Sequence, residues 1–126
     1  MPALNEPSNL GDLLKYEEVR LNFSREVVTV AAGQNLELGA VVGRITATAQ
    51  IKRHEPGAND GSEIPIGILL CPCDATLMER DDALLLARHG VVASNAVVWP
   101  PNITPEQKAA ATASLEARGI LIRQSA

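Results

Sequence analysis

Two thiols one residue apart, Cys71-Pro72-Cys73, are the densest chemical feature of the chain. Such a pair could bind a soft metal or cycle between dithiol and disulfide. Tetrahedral zinc needs four ligands, usually with CxxC-type spacing and further Cys or His. Only His54 and His89 remain, and no spacing ties them to the thiols. The two cysteines therefore read as structural. A thiol- or metal-binding module built on Cys71 and Cys73 is kept as an alternative. His89, beside Gly90, has the chemistry of a general base but no nucleophile motif near it. Glu79, Asp81 and Asp82 surround Arg80; paired carboxylates can do acid–base work, but this run reads as a solvated loop. Asp60-Gly61-Ser62 lacks the further carboxylates of a calcium loop. The stretch GAVVGRIT is neither GxGxxG nor followed by a P-loop lysine. No catalytic, cofactor or metal residue is assigned, and the protein is expected not to be an enzyme. The enzyme alternative, a trimeric β-fold acting on a small molecule, would need an acid, a base and a polar pocket motif.

With no chemistry to position, the elements must serve packing. Strands are expected at Val27–Val30, Val41–Ala49, Ile64–Leu70, Ala83–Ala87 and Val91–Ala93, with glycines between them. Ala31–Asn35 reads as an interruption, residues 54–62 as a polar surface loop, and Arg88-His89-Gly90 as a hairpin corner. One helix is predicted from Pro105 towards Gly119. Thr104 caps it, Pro105 fits its first turn, and Gln107 completes a capping box. Its apolar face reads as Ala109, Ala110, Ala113 and Ala117, with Leu115 nearby, and Ile120-Leu121-Ile122 follows as a last short strand.

Length and charge narrow the class. The 126 residues fit one domain. Hydrophobic residues make up 46% of the chain but aromatics only 2%, so the core must be aliphatic. Such a core buries less area per residue, and oligomerisation is one remedy for a small domain. A net charge of −4 without a basic run argues against nucleic acid as a partner. The N-terminus has no charged-then-apolar leader, and no apolar run is long enough for a membrane span. A soluble protein made in a cytoplasm, without a membrane partner, is expected. The matches Asn22-Phe23-Ser24 and Asn102-Ile103-Thr104 to glycosylation sites then count as chance.

Residues 1–23 stand apart from the domain expected over 24–126. They carry Pro2, Pro7 and Gly11, four acids against two bases, and no sustained periodicity before Leu13. Partial alternation follows at Leu14 and Tyr16, then Val19, Leu21 and Phe23. The chain's only Tyr and Phe lie here, so the segment reads either as an unstructured tail or as a docking arm that becomes ordered on a partner.

Four segments in order, "SREVVTVAAGQNLELGAVVG", "DGSEIPIGILL", "LLLARHGVVASNAVVWP" and "ITPEQKAAATASLEARGILIR", resemble the lambda-type bacteriophage head decoration proteins. The likeness spans about residues 14 to 123 and lies in the order of the segments. It implies a small, mainly β domain with one main helix, of β-clip-like fold, behind a flexible N-terminal arm. It also implies homotrimers at the three-fold sites of the expanded head shell, cementing it against the pressure of packaged DNA. The arm would add a strand to the major capsid protein, with Leu13, Leu14, Tyr16, Val19, Leu21 and Phe23 as the expected docking residues. The site of action would be the outer surface of the virion, reached from the host cytoplasm during assembly. Cys71-Pro72-Cys73 departs from the pattern, and the leader before Ser24 is longer than in the shortest relatives.

Overall fold

The computed structural model describes residues 10–17 and 24–124. It is mainly β, with one main helix. Helix α1 is a single turn, Leu10–Leu13, and runs directly into β1, Leu14–Glu17. Then come β2 (Arg25–Val30), β3 (Gln34–Leu36), β4 (Val41–Arg44), β5 (Ile51–Arg53) and β6 (Pro65–Leu69). They are followed by β7 (Cys73–Ala75), β8 (Arg80–Leu86) and β9 (Gly90–Ala93). Helix α2 (Pro105–Ala117) and β10 (Ile120–Arg123) close the fold. Strands β2, β5, β4, β6 and β8 form a closed barrel. A separate sheet has the order β1-β9-β10, and β3 pairs with β7.

Strands β4 and β6 and the end of β8 are apolar on both sides, and the reason is visible in the packing. Val42, Leu69 and Leu85 point into a cluster with Val28, Val30, Leu36 and Ile51. Their chain neighbours Val41, Ile68 and Leu86 join a second cluster with Leu13, Val92, Leu115 and Ile120. One wall thus serves two cores. A strand covered on both faces reads as a continuous apolar run rather than an alternation, as in "PIGILL" and "ALLLA".

The second core is roofed by the β1-β9-β10 sheet and α2. Strand β10 runs parallel to β9, Ile120 opposite Gly90. A parallel pair needs a crossover, and α2 lies in it. The helix starts as expected: Thr104 Oγ accepts the Gln107 amide at 3.1 Å, and the Gln107 side chain accepts the Thr104 amide at 3.0 Å. Its buried face, however, is Ala111 and Leu115; Ala109, Ala110, Ala113 and Ala117 are exposed. Residues four apart share a helix face, and this pair is the one turned to β10 and the barrel.

Other expectations shift in the same way. The strand expected over Val41–Ala49 ends at Arg44, because Ile45 and Gln50 close a tight turn with Ala49 at φ 62°. Strand β8 begins three residues early, so Asp81 and Asp82 lie on a strand rather than in a loop. Three-residue strands β3, β5 and β7 are too short to show a period. Arg88-His89-Gly90 is no hairpin corner: β8 belongs to the barrel and β9 to the other sheet. His89 turns the chain between them with φ 58°. Gly39 brings β4 close to the Ser94–Ala96 turn: its φ is +92°, and an added Cβ would lie 2.3 Å from the Ala96 carbonyl.

The largest difference concerns the N-terminal segment. Residues 10–17, expected within a flexible arm, pack here as part of the domain. Leu13 is fully buried, Leu10 and Leu14 pack against its cluster, and β1 pairs antiparallel with β9. The apolar residues Leu10, Leu13 and Leu14 fit neither period, because the chain changes from a helical turn to a strand within them. Glu17 then fastens the end of β1. Its carboxylate accepts from Arg25 Nε at 2.6 Å, Arg25 Nη2 at 2.8 Å and Ser24 Oγ at 2.6 Å. Bidentate Arg–carboxylate pairing is among the stronger charge-assisted contacts.

Leu13→Ala is expected to cost about 2–5 kcal/mol, read as a fall in the thermal midpoint of the isolated protein; an unchanged midpoint would show that α1 and β1 are not part of the domain. The Glu17 clasp makes stability acid-sensitive. The Arg25 hydrogen bonds, aided by Ser24 and outweighing burial, hold the Glu17 carboxyl below its usual range. Its contribution is therefore complete above the unfolded carboxyl's pKa and is lost as pH falls through the lower folded value. Glu17→Gln should lose about 1.5–3 kcal/mol near neutral pH and flatten the acid limb of a stability–pH curve.

Candidate docking surface

The six expected docking residues do not share one environment. Leu13 is core, Leu14 is half-buried against it, and Tyr16 is 59% exposed. Val19, Leu21 and Phe23 lie outside the described residues. Strand β1 is an edge of its sheet, with β9 on one side. The Glu17–Ser24–Arg25 clasp ties the end of β1 to the start of β2, so residues 17 and 24 meet at one point of the surface. Ser24 is itself buried, and its carbonyl accepts the Ala87 amide at 2.8 Å. The root of the segment is thus held by both the side sheet and the barrel.

Apolar groups that sequence reasoning did not single out are also exposed. Leu77 and Met78, in the connection between β7 and β8, are 95% and 66% exposed. Val27 on the outer face of β2 is 71% exposed. The turn bearing Leu77 is braced by Asp74, which accepts from the Thr76 amide at 3.1 Å and hydroxyl at 2.5 Å. Those bonds lower the Asp74 pKa, and Arg80 does the same for Asp82. The connection therefore presents two apolar side chains among ionised acids. Its signal in the sequence was Leu77-Met78 flanked by Thr76 and Glu79, an apolar pair with no strand period around it.

The residues considered for chemistry are dispersed or engaged. Cys73 is buried in the barrel cluster, and burial pushes its thiol pKa up. Cys71 is half-buried, and both are free thiols. Cys71 lies before β7, whereas Cys73 opens that strand and faces the core. His54 is buried with Nδ1 2.8 Å from the Ser62 carbonyl, while His89 sits exposed at the turn between sheets. Asp82 pairs with Arg80 at 3.0 Å. Among the described residues, no group of three or more His, Cys, Asp or Glu is placed to hold a metal. No described helix is long and apolar enough to cross a membrane.

Comparison with known proteins gives this surface its context. No curated protein matches the chain significantly. The family model of the bacteriophage lambda head decoration protein D matches residues 3–120. That span takes in the barrel, β1, β9 and α2 and reaches the first residue of β10, and the chain therefore belongs to the bacteriophage lambda head decoration protein D family.

Proposed function

We propose that this member of a structural, capsid-decorating family acts as a cement protein on the expanded phage head. Homotrimers would occupy three-fold sites of the shell and stabilise it against the pressure of packaged DNA. The single observation that carries this reading is the family match over residues 3–120. A closed barrel is a rigid body suited to bridging neighbouring shell subunits.

The N-terminal segment is the proposed attachment element. Strand addition would supply main-chain hydrogen bonds to the major capsid protein, while alternate side chains select the site. Leu13 and Leu14 anchor the segment to the domain, and Tyr16, Val19, Leu21 and Phe23 carry the contact. Ordering a free tail costs about 1–2 kcal/mol per residue in backbone entropy. A segment already fixed at residues 10–17 and at Ser24 avoids part of that cost. Three segments on one trimer would raise the effective concentration, with avidity gains of about 10²–10⁴. The acidic net charge of −4 fits a protein partner better than the packaged nucleic acid.

Co-sedimentation with purified head shells tests the reading. The protein should pellet with expanded shells and stay in the supernatant with unexpanded ones; equal binding to both, or to neither, would refute it. Phe23→Ala removes an apolar contact worth about 1.5–3 kcal/mol when buried. It should weaken attachment at least tenfold while leaving the thermal midpoint of the free protein nearly unchanged. A large fall in midpoint with normal attachment would assign Phe23 to the folded domain instead.

A further inference from the structure

Leu77 and Met78 form the tip of the connection between β7 and β8 and stand almost clear of the domain, 95% and 66% exposed. Apolar side chains scattered singly over a surface are ordinary, but two large neighbours on a fixed turn need a reason. The turn is fixed on both sides. Before the tip, Asp74 accepts from the Thr76 amide and hydroxyl. After it, Glu79 accepts from Gln50 Nε2 at 2.9 Å, which ties the turn to the residue before β5. A tip held in one conformation loses less entropy on binding than a free loop does.

The surroundings of the tip are acidic. Residues 74–82 hold Asp74, Glu79, Asp81 and Asp82 against a single base, Arg80, and all five are exposed. Asp82 already takes Arg80 at 3.0 Å. Arg44 is the one base among the residues lining the hollow beside Glu79. It donates to the Ala49 carbonyl at 3.2 Å and faces Glu26 at 3.9 Å. The tip is thus an apolar pair inside a negative rim.

Position sets the tip apart from the proposed attachment element. In the β2–β8 pair, Arg25 lies opposite Leu86 and Val30 opposite Arg80. The Glu17–Ser24–Arg25 clasp stands at the first end, and the tip adjoins the second. The strand between them spans about 17 Å. On the attachment reading above, a segment rooted at the clasp holds the shell and leaves the tip free at the far end of the barrel.

We propose that Leu77 and Met78 dock a second protein partner, a basic amphipathic segment whose apolar stripe takes the two side chains and whose Lys or Arg residues meet Asp74, Glu79 and Asp81. The apolar pair supplies affinity by burial, and the thioether of Met78 adapts to an uneven stripe. The acids steer the encounter and select the partner's charge. The same rim disfavours other occupants. A second copy carries a net charge of −4 without a basic run, and most described Arg and Lys residues already pair with an acid of their own chain. An anionic lipid surface or a nucleic acid would be repelled.

Fluorescence anisotropy with the full-length protein tests this. The probe is a labelled helical Leu–Lys peptide with one leucine stripe. A Leu–Glu peptide of the same pattern and a Ser–Lys peptide of the same charge are the controls. Saturable binding of the Leu–Lys peptide alone is expected. Leu77→Ser combined with Met78→Ser should weaken it about tenfold or more. The thermal midpoint should not move, because both side chains are exposed. Asp81→Asn should weaken binding about threefold and reduce its salt dependence. Tyr16→Ser, at the clasp end, should leave affinity unchanged. Equal binding of either control peptide, unchanged affinity in the double variant, or an equal loss in Tyr16→Ser would overturn the assignment. So would three changes in the double variant: altered self-association in sedimentation, which makes the tip a contact between copies; failure to pellet with expanded head shells; or loss of a wild-type affinity for phosphatidylcholine vesicles, which makes it a membrane contact. Absent peptide binding beside normal pelleting refutes this inference and leaves the cement reading standing; peptide binding without pelleting does the reverse.

Discussion

The structure depends on one wall of strands that must be covered on both sides. Val41 and Val42, Ile68 and Leu69, and Leu85 and Leu86 are consecutive pairs, each fully buried and split between two clusters. Water on either face would expose half of these side chains. The barrel closes around one face. The other face requires α1, the β1-β9-β10 sheet and α2, which is why the N-terminal turn and the C-terminal strand both return to it. The aliphatic composition follows from this geometry. Val, Leu and Ile fill narrow spaces between closely spaced layers, where large rings would force the layers apart.

This arrangement makes the N-terminal segment a structural element as well as the proposed attachment element. Leu13 is held by the second core, and Glu17 is held by Ser24 and Arg25 at the mouth of the barrel. The charge pair lies at the rim, with the Glu17 side chain 9% exposed, so it is well shielded without being cut off from water. Such a position strengthens the hydrogen bonds while limiting the desolvation cost of burying ions. A load applied to the segment would pass into the sheet and the barrel rather than into a flexible hinge.

The buried polar residues of the 54–63 loop are hydrogen-bonded: Ser62 donates to Asp60, and His54 bonds the Ser62 carbonyl. Lys52 is shared between Glu55 and Asp60, and Asp60 also accepts from Ser62, which pulls its pKa down to about 2. These contacts brace the 54–63 loop beside α2.

Much of the architecture was legible in the sequence, and for a definite reason. The α2 start is local chemistry: Thr104, Pro105 and Gln107 act within one turn, so their order alone specifies the cap. The cores of β2, β6, β8 and β9 were legible because β-branched and leucine runs between glycines have few alternatives. The family resemblance was legible in the order of its segments. What escaped was whatever depends on distant partners. Strands β3, β5 and β7 exist because Gln34 faces Ala75 and Ile51 faces Val30, pairings that three residues cannot announce. The buried face of α2 was decided by where the second core lies, not by its count of alanines. Leu13 looked like part of a tail because the period of its apolar neighbours Leu10 and Leu14 is broken; only the roof over Ile68, Leu86 and Val92 makes it core. The chain alone determined its class and its main helix. Closure of the barrel, capture of residues 10–17 and the burial of His54 were decided by tertiary contacts, because burial is a property of surroundings that no local sequence contains.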